Sequence, residues 1–248
     1  EFRRVLFRSR AALQGENFGD RCDAYCRIRP IIERRLRSVL RGYRVCLAHW
    51  MVQSWGELSG DVCFQQDWSF VDERRVRSIH LWIPLCDVEE NRGCLEVVSG
   101  THRLSCDHRA CDDESRFREM TPRLMRDYRS AIPLEAGEAV FYDGALLHRA
   151  AGNRAFRRRV AVGVVLIPDG APLLYCRRVS PAAVEVFLVD DSFFWRQLSG
   201  RRPEEGARSL GVTASTNRQH YTGMLGWLTP VEDPAVPRPA ARVSNLAA

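Results

Sequence analysis

The chain has 248 residues, enough for one domain with a sizeable core, and a formal net charge of +6 with a pI near 9.0. All 37 basic residues are arginine, but acids stand among them, as in Asp72-Glu73-Arg74-Arg75 and Asp112-Asp113-Glu114-Ser115-Arg116, so the clustered basic face of a nucleic-acid binder is missing. No apolar run approaches the roughly 20 residues of a membrane span, and the nine cysteines include no Cys-x-x-Cys pair, which argues against a disulfide framework and a zinc site and makes a reducing cytoplasm the default expectation.

Glu1–Ser9, reading EFRRVLFRS, back-translates codon by codon to a widely used short-read sequencing adapter. We expect it to be a translated library artefact on a truncated, metagenomic-type fragment, and exclude it from fold reasoning. Residues 10–228 then read as a single truncated domain. Tyr25, Ile28, Ile31, Ile32, Leu36 and Leu40 recur at helical spacing and predict an amphipathic helix over 21–41, with Pro30 as its start or a kink and Gly42 as its stop. Cys22 and Cys26 fall one helical turn apart on it, with no second pair to complete a metal site.

Tyr43–Gln53 reads as a strand, and the pattern to about residue 167 is rich in further short ones. They are Val62–Phe64, Ser78–Leu85, Cys94–Val98, Ala139–Tyr142 and Arg159–Ile167, separated by turn signals such as Glu90-Asn91-Arg92-Gly93 and Ala136-Gly137-Glu138. Short strands without long intervening helices predict a mainly β sandwich or barrel with flanking helices. Residues 103–132 interrupt them with a charged stretch, expected to be a lid. Val184–Val189 and Phe193–Trp195 lead into a polar loop and a short helix around 218–228, and the Pro/Ala-rich tail 229–248 is expected to be disordered.

Three separated residues carry the chemistry. Asp67 lies in Phe64-Gln65-Gln66-Asp67-Trp68, His148 closes Ala145-Leu146-Leu147-His148, and Arg159 follows eleven residues later. A carboxylate, a distant histidine and a downstream arginine suggest a mononuclear iron centre with a dicarboxylate grip. Such centres use two histidines and one carboxylate on one face, and a planar guanidinium suits bidentate capture. Strand alternation puts Arg157 and Arg159 on one face and Arg158 on the other, and places His80 on the same face as Trp82.

Four stretches in order resemble the phytanoyl-CoA dioxygenase family of Fe(II)/2-oxoglutarate oxygenases. They are Gln66–Glu73, Arg77–Asp87, Asn91–Arg103, and Gly137–His148 continued by Asn153 and Arg159, within a likeness that runs from about residue 45 to 195. The resemblance implies a double-stranded β-helix (a cupin-like jelly-roll), Fe(II) as metal, 2-oxoglutarate as cosubstrate and hydroxylation of a small hydrophobic or acyl-type metabolite. It makes Asp67 and His148 metal ligands and catalytic residues, gives the cosubstrate carboxylate to Arg159, packs Trp82 against the cosubstrate and leaves His102 a structural turn residue. No nucleic-acid or membrane partner is implied, and the oligomeric state is not legible.

Two positions depart from the family pattern. Gln65 stands where the first ligand histidine is usual, and Ala150 where a serine often supports the cosubstrate carboxylate. Three readings of Gln65 stay open. It ligates through its weaker carboxamide oxygen, His80 substitutes for it, or the site is degenerate. The last would leave a non-catalytic jelly-roll that binds a small molecule or a partner.

Overall fold

The computed structural model describes residues 9–11, 18–54, 63–104, 107–110, 117–196, 203, 207–215, 228 and 242–243. Most of the adapter-like stretch, the helix expected at 218–228 and most of the tail lie outside these residues. Within the tail, Arg242–Val243 forms a short strand, so that pair departs from the expected disorder.

The first helix, α1 (Phe18–Leu36), ends six residues before Gly42. Tyr25, Ile28, Ile32 and Leu36 are buried, while Ile31 is 51% exposed and falls off the predicted stripe. Pro30 sits inside the helix without ending it. The buried stripe packs on one face of a large sheet, against Val45, Ala48, Leu81, Ile83, Val162, Val164 and Leu166.

That sheet is antiparallel throughout and joins β1 (Ser9–Ala11), β2 (Tyr43–Gln53), β3 (Ile79–Pro84), β6 (Ala139–Asp143), β8 (Arg159–Pro168) and β12 (Arg242–Val243), in the order β1-β2-β8-β3-β6-β12. A smaller sheet orders β5 (Arg129–Ile132), β4 (Leu95–Val98) and β7 (Leu147–Ala150) as β5-β4-β7. Gln65 extends it by an antiparallel bridge to His148. From β2 onward the chain passes from large sheet to small and back: β2 large, Gln65 small, β3 large, β4 and β5 small, β6 large, β7 small, β8 large. This alternation is a double-stranded β-helix, the jelly-roll expected from the sequence.

Period-two alternation divides the large sheet into two faces. Leu81 and Ile83 of β3 meet α1, whereas Trp82 enters the inter-sheet core with Cys94, Leu95, Val97, Ile132, Val140 and Ala161. A third antiparallel sheet, β9 (Leu173–Ser180), β10 (Ala183–Val189) and β11 (Arg208–Ala214), shares a second core in which Leu173, Tyr175, Phe187 and Val189 cluster with Cys46, Leu47, Val165 and Ile167 of the large sheet. The strand β11 falls where a polar loop was expected. Its residues are almost all exposed, so no buried face marks it in the sequence. Between β10 and β11, Phe193–Arg196 forms the short helix α3.

The expected lid over 103–132 is corrected in its described part. Thr101–Arg103 is a 3-10 turn, Thr121–Asp127 is helix α2, and residues 129–132 are core strand β5. Phe117, Met120, Leu124 and Tyr128 are buried against Phe64, Val98 and Leu147. Arg109 inserts beside the first site strand. Its guanidinium grips Glu73 at 2.6 and 2.5 Å, and its Nε donates to the Asp67 carbonyl at 2.7 Å. Ser69 and Arg109 add reciprocal bonds, Ser69 N–H to the Arg109 carbonyl and Arg109 N–H to Ser69 Oγ.

The Arg109 and Glu73 side chains are only 3% and 1% exposed. Removing Arg109 leaves the buried Glu73 only the 3.7 Å contact of the half-exposed Arg77 side chain, and breaking such a buried pair typically costs about 3–5 kcal/mol. Arg109→Leu is therefore expected to lower denaturant-unfolding stability by that order. Exposed Arg27→Leu, whose pair lies on the helix surface, should change it by less than about 1 kcal/mol. Equal effects of the two substitutions would remove the clamp from the account of stability.

Candidate metal and cosubstrate site

The site begins with a backbone exchange. Gln65 N–H donates to the His148 carbonyl and His148 N–H to the Gln65 carbonyl, both at 2.9 Å, and Asp67 N–H donates to the Gly144 carbonyl at 2.9 Å. Gln66 Nε2 adds a 2.6 Å bond to the Ala145 carbonyl. Residues 65–67 therefore run antiparallel to 144–148, which carries the Asp67 carboxylate to the His148 ring.

Two imidazoles reach the same carboxylate oxygen. His80 Nδ1 lies 2.8 Å from Asp67 Oδ2 and His148 Nε2 lies 3.6 Å from it. Neither contact is aligned as a hydrogen bond, and Asp67 Oδ2 is buried without one. Tyr142 packs between the rings, with centroids 5.5 Å from His80 and 5.0 Å from His148, and its hydroxyl is a further partner of the carboxylate. Burial alone would raise the Asp67 pKa. The close imidazoles of His80 and His148, with the Tyr142 hydroxyl, outweigh it and hold the carboxyl well below the usual range. Burial, then the Asp67 charge, pushes the Tyr142 phenol well up.

The orientation of His148 suits a ligand. Its Nδ1 lies 3.0 Å from the Leu146 carbonyl. A proton on Nδ1 satisfies that carbonyl and leaves the Nε2 lone pair directed at Asp67, the tautomer that metal-bound histidines use. An orphaned carboxylate oxygen and a free imidazole lone pair at one point fit a cation. As they stand, however, no three His, Cys, Asp or Glu side chains among the described residues are grouped to hold a metal ion.

Arg159 occupies the second half of the site. It is 2% exposed, its NH1 donates to the Gly93 carbonyl at 2.8 Å, and its guanidinium carbon lies 5.6 Å from the Trp82 ring centroid. No carboxylate partners it among the described residues, and its Nε is buried without a hydrogen bond. Burial lowers its pKa to about 10. Gly93 makes the approach possible: its φ is +71°, and a Cβ there would fall 2.6 Å from Gln53 Oε1 and 3.3 Å from Arg159 Cδ. Asn153 shapes the entry to β8, donating to the Gln53 and Arg157 carbonyls and accepting from Ala155 N–H.

The structure thus brings together Asp67, His148 and His80, and sets Trp82 against Arg159. Gln65 is half-buried and joins His148 through backbone alone. Because β8 begins at Arg159, Arg157 is not part of the alternation. It and Arg158 are exposed. His102 lies in the 3-10 turn.

Two nearby groups escaped the sequence reading. Tyr142 shares the inward face of β6 with Val140, a signal that alternation offered. His49 on β2 sits opposite Gly163, and a Cβ on that glycine would lie 2.9 Å from His49 Cε1. A glycine within the apolar run of β8 was the available sign of a close approach.

The fold and site define a jelly-roll whose inner layer holds a carboxylate–imidazole cluster and a buried, carboxylate-free arginine. The sequence model of phytanoyl-CoA dioxygenase (PhyH) matches residues 9–161, and the chain belongs to this family. Phytanoyl-CoA dioxygenase 1 of Oryza sativa subsp. japonica is 28% identical over 112 residues, covering 44% of this chain and 40% of that protein. Among solved structures, the non-heme alpha ketoglutarate dependent carbocyclase SnoK from nogalamycin biosynthesis is 24% identical with a TM-score of 0.42, over 53% of this chain and 52% of that one. The epimerase SnoN from the same biosynthesis is 19% identical with a TM-score of 0.47, over 67% and 62%. The chain therefore spans less than two thirds of each of these relatives.

Burial lowers the His49 pKa from 6.5 to about 4, against an opposing field from Asp67. Below pH 6.5 the unfolded chain takes up a proton that the folded chain refuses, so stability falls as the pH drops towards 4. Asp67, depressed in the fold, adds a second loss as the pH falls below its unfolded value of 3.8. His49→Gln should flatten the first decline and keep the second. An unchanged pH profile between 6.5 and 4 would show that His49 is not buried neutral.

Proposed function

We propose that this protein is an Fe(II)/2-oxoglutarate-dependent oxygenase that hydroxylates a small hydrophobic or acyl-type metabolite. The observation that carries this reading is the buried Arg159 guanidinium. It has unused donors and no carboxylate partner among the described residues, and it shares an inner layer with the Asp67–His148 cluster. A charge left so deep asks for an anion, and a planar fork selects a carboxylate. Family membership and the non-heme alpha ketoglutarate dependent relatives agree with that anion being 2-oxoglutarate.

In this reading iron and 2-oxoglutarate, when bound, supply the oxidising chemistry. Asp67 and His148 hold the metal, Asp67 as a carboxylate kept ionised by its imidazole neighbours and His148 through Nε2. Arg159 anchors the remote carboxylate while the Trp82 face fixes the guanidinium plane. The core around Trp82, Leu95, Val97 and Ile132 keeps water from the reacting centre. Ala150 offers no hydroxyl, so Arg159 carries the anchoring without that help.

Succinate formation that requires both added Fe(II) and 2-oxoglutarate tests the reading. Arg159→Met should weaken 2-oxoglutarate binding by at least about tenfold, on the order of one charge-assisted bidentate contact. It should leave metal affinity within about twofold, since the guanidinium does not meet the cluster. Comparable losses in both would show that Arg159 supports the fold rather than the cosubstrate. A second reading, a non-catalytic jelly-roll, is favoured by Gln65 and Ala150 together and by the absence of a ready three-ligand group among the described residues. Anaerobic iron titration separates the two: stoichiometric micromolar binding favours the enzyme, and no binding favours the scaffold.

A further inference from the structure

One face of the third sheet is only partly covered. Strand alternation turns Leu173, Tyr175, Phe187 and Val189 to the second core, and Leu174, Cys176, Val184 and Val186 the other way. On this other face, among the described residues, only Ala110 joins the buried cluster from outside the sheet. The face opens into a hollow of about 610 Å³, inside the range of roughly 300–1,000 Å³ usual for small-molecule sites. Its apolar lining comes from Val71, Leu174, Val186, Leu210 and Val212, and the last two are 52% and 63% exposed. Gly211 stands between them at the register shift of β10 against β11, with φ +105° and open space where a Cβ would stand, so the bulge leaves the hollow unfilled.

The remaining lining is polar. His108 is 8% exposed, its ring makes no hydrogen bond among the described residues, and its Nδ1 is fully enclosed. Interior polar atoms seldom stay unpaired unless an ion, water or ligand completes them. Beside it, Arg74 donates to both oxygens of Asp72 at 2.7 and 2.9 Å, which cancels that pair of charges. Arg75 is exposed and has no ion pair among the described residues, so it leaves the rim with a surplus positive charge. None of Asp67, Trp82, His148 and Arg159 lines this hollow.

We propose that the hollow is a second binding site, for a small amphipathic carboxylate. An aliphatic tail covers Leu174, Val186, Leu210 and Val212. The carboxylate head accepts a ring N–H from His108 and sits in the field of Arg75. The site draws on neither iron nor 2-oxoglutarate, and it stands or falls apart from the oxygenase reading.

Calorimetric titration of the full chain with octanoate and decanoate tests this. Each methylene moved out of water strengthens binding by up to about fourfold. Decanoate should therefore bind at least about fourfold tighter than octanoate, with one molecule per chain. Val212→Trp puts an indole into the hollow from an exposed position and should weaken decanoate binding by at least about tenfold. His108→Phe keeps the ring shape without its nitrogens and should weaken it about two- to tenfold, the range of one hydrogen bond. Excess 2-oxoglutarate, and separately Arg159→Met, should leave decanoate affinity within about twofold. Absence of saturable decanoate binding, full affinity in Val212→Trp or in His108→Phe, or competition by 2-oxoglutarate would each overturn the proposal, the last by moving the carboxylate to Arg159. Chain-length dependence and competition in the unmodified protein decide the matter even if a variant misfolds.

Discussion

The pair of backbone hydrogen bonds between Gln65 and His148 is the constraint on which the rest of the site depends. It adds the 65–67 segment to the edge of the small sheet and sets its register. A slip of one residue would turn Asp67 away from His148, because successive side chains point to opposite faces. The Arg109–Glu73 clamp secures the same segment from its other side through the Asp67 carbonyl. Two unrelated devices thus position one carboxylate. An interior charge needs such control, since its energy changes steeply with the placement of its neighbours.

The centre itself is an electrostatic balance rather than a set of independent contacts. Burial disfavours an ionised Asp67, and the surrounding imidazoles and phenol reverse that preference. Arg159 shows the opposite case: burial disfavours its charge, and nothing carboxylate-bearing among the described residues compensates it. One half of the site is internally balanced and the other is not.

Much of this was legible in the sequence. The apolar alternation in Ile79–Pro84 and Arg159–Pro168 marked both strands and their faces, and the spacing of Asp67, His148 and Arg159 singled out residues that the fold buries on its inner side or beside it. The helix came out shorter than predicted because Leu40 and Gly42 lie beyond its last turn, and Pro30 was absorbed within it. Residues 117–132 were misread as a lid because their charged residues hide an interior stripe of Phe117, Met120, Leu124 and Tyr128. The strand β11 left no trace because it buries no face. His49 needed the strand register, which pairs it with Gly163 more than a hundred positions away.

The lone Arg159 has a consequence for the lifetime of the fold. A buried cation without a counter-charge among the described residues weakens the empty protein, and any carboxylate that settles beside it stabilises the folded state but not the unfolded one. At a hundredfold excess over its dissociation constant, such a ligand adds about 2.7 kcal/mol. On the proposed role of Arg159, resistance to heat and proteolysis then rises and falls with the supply of a small dicarboxylate. The molecule's persistence becomes a readout of the metabolite pool around it.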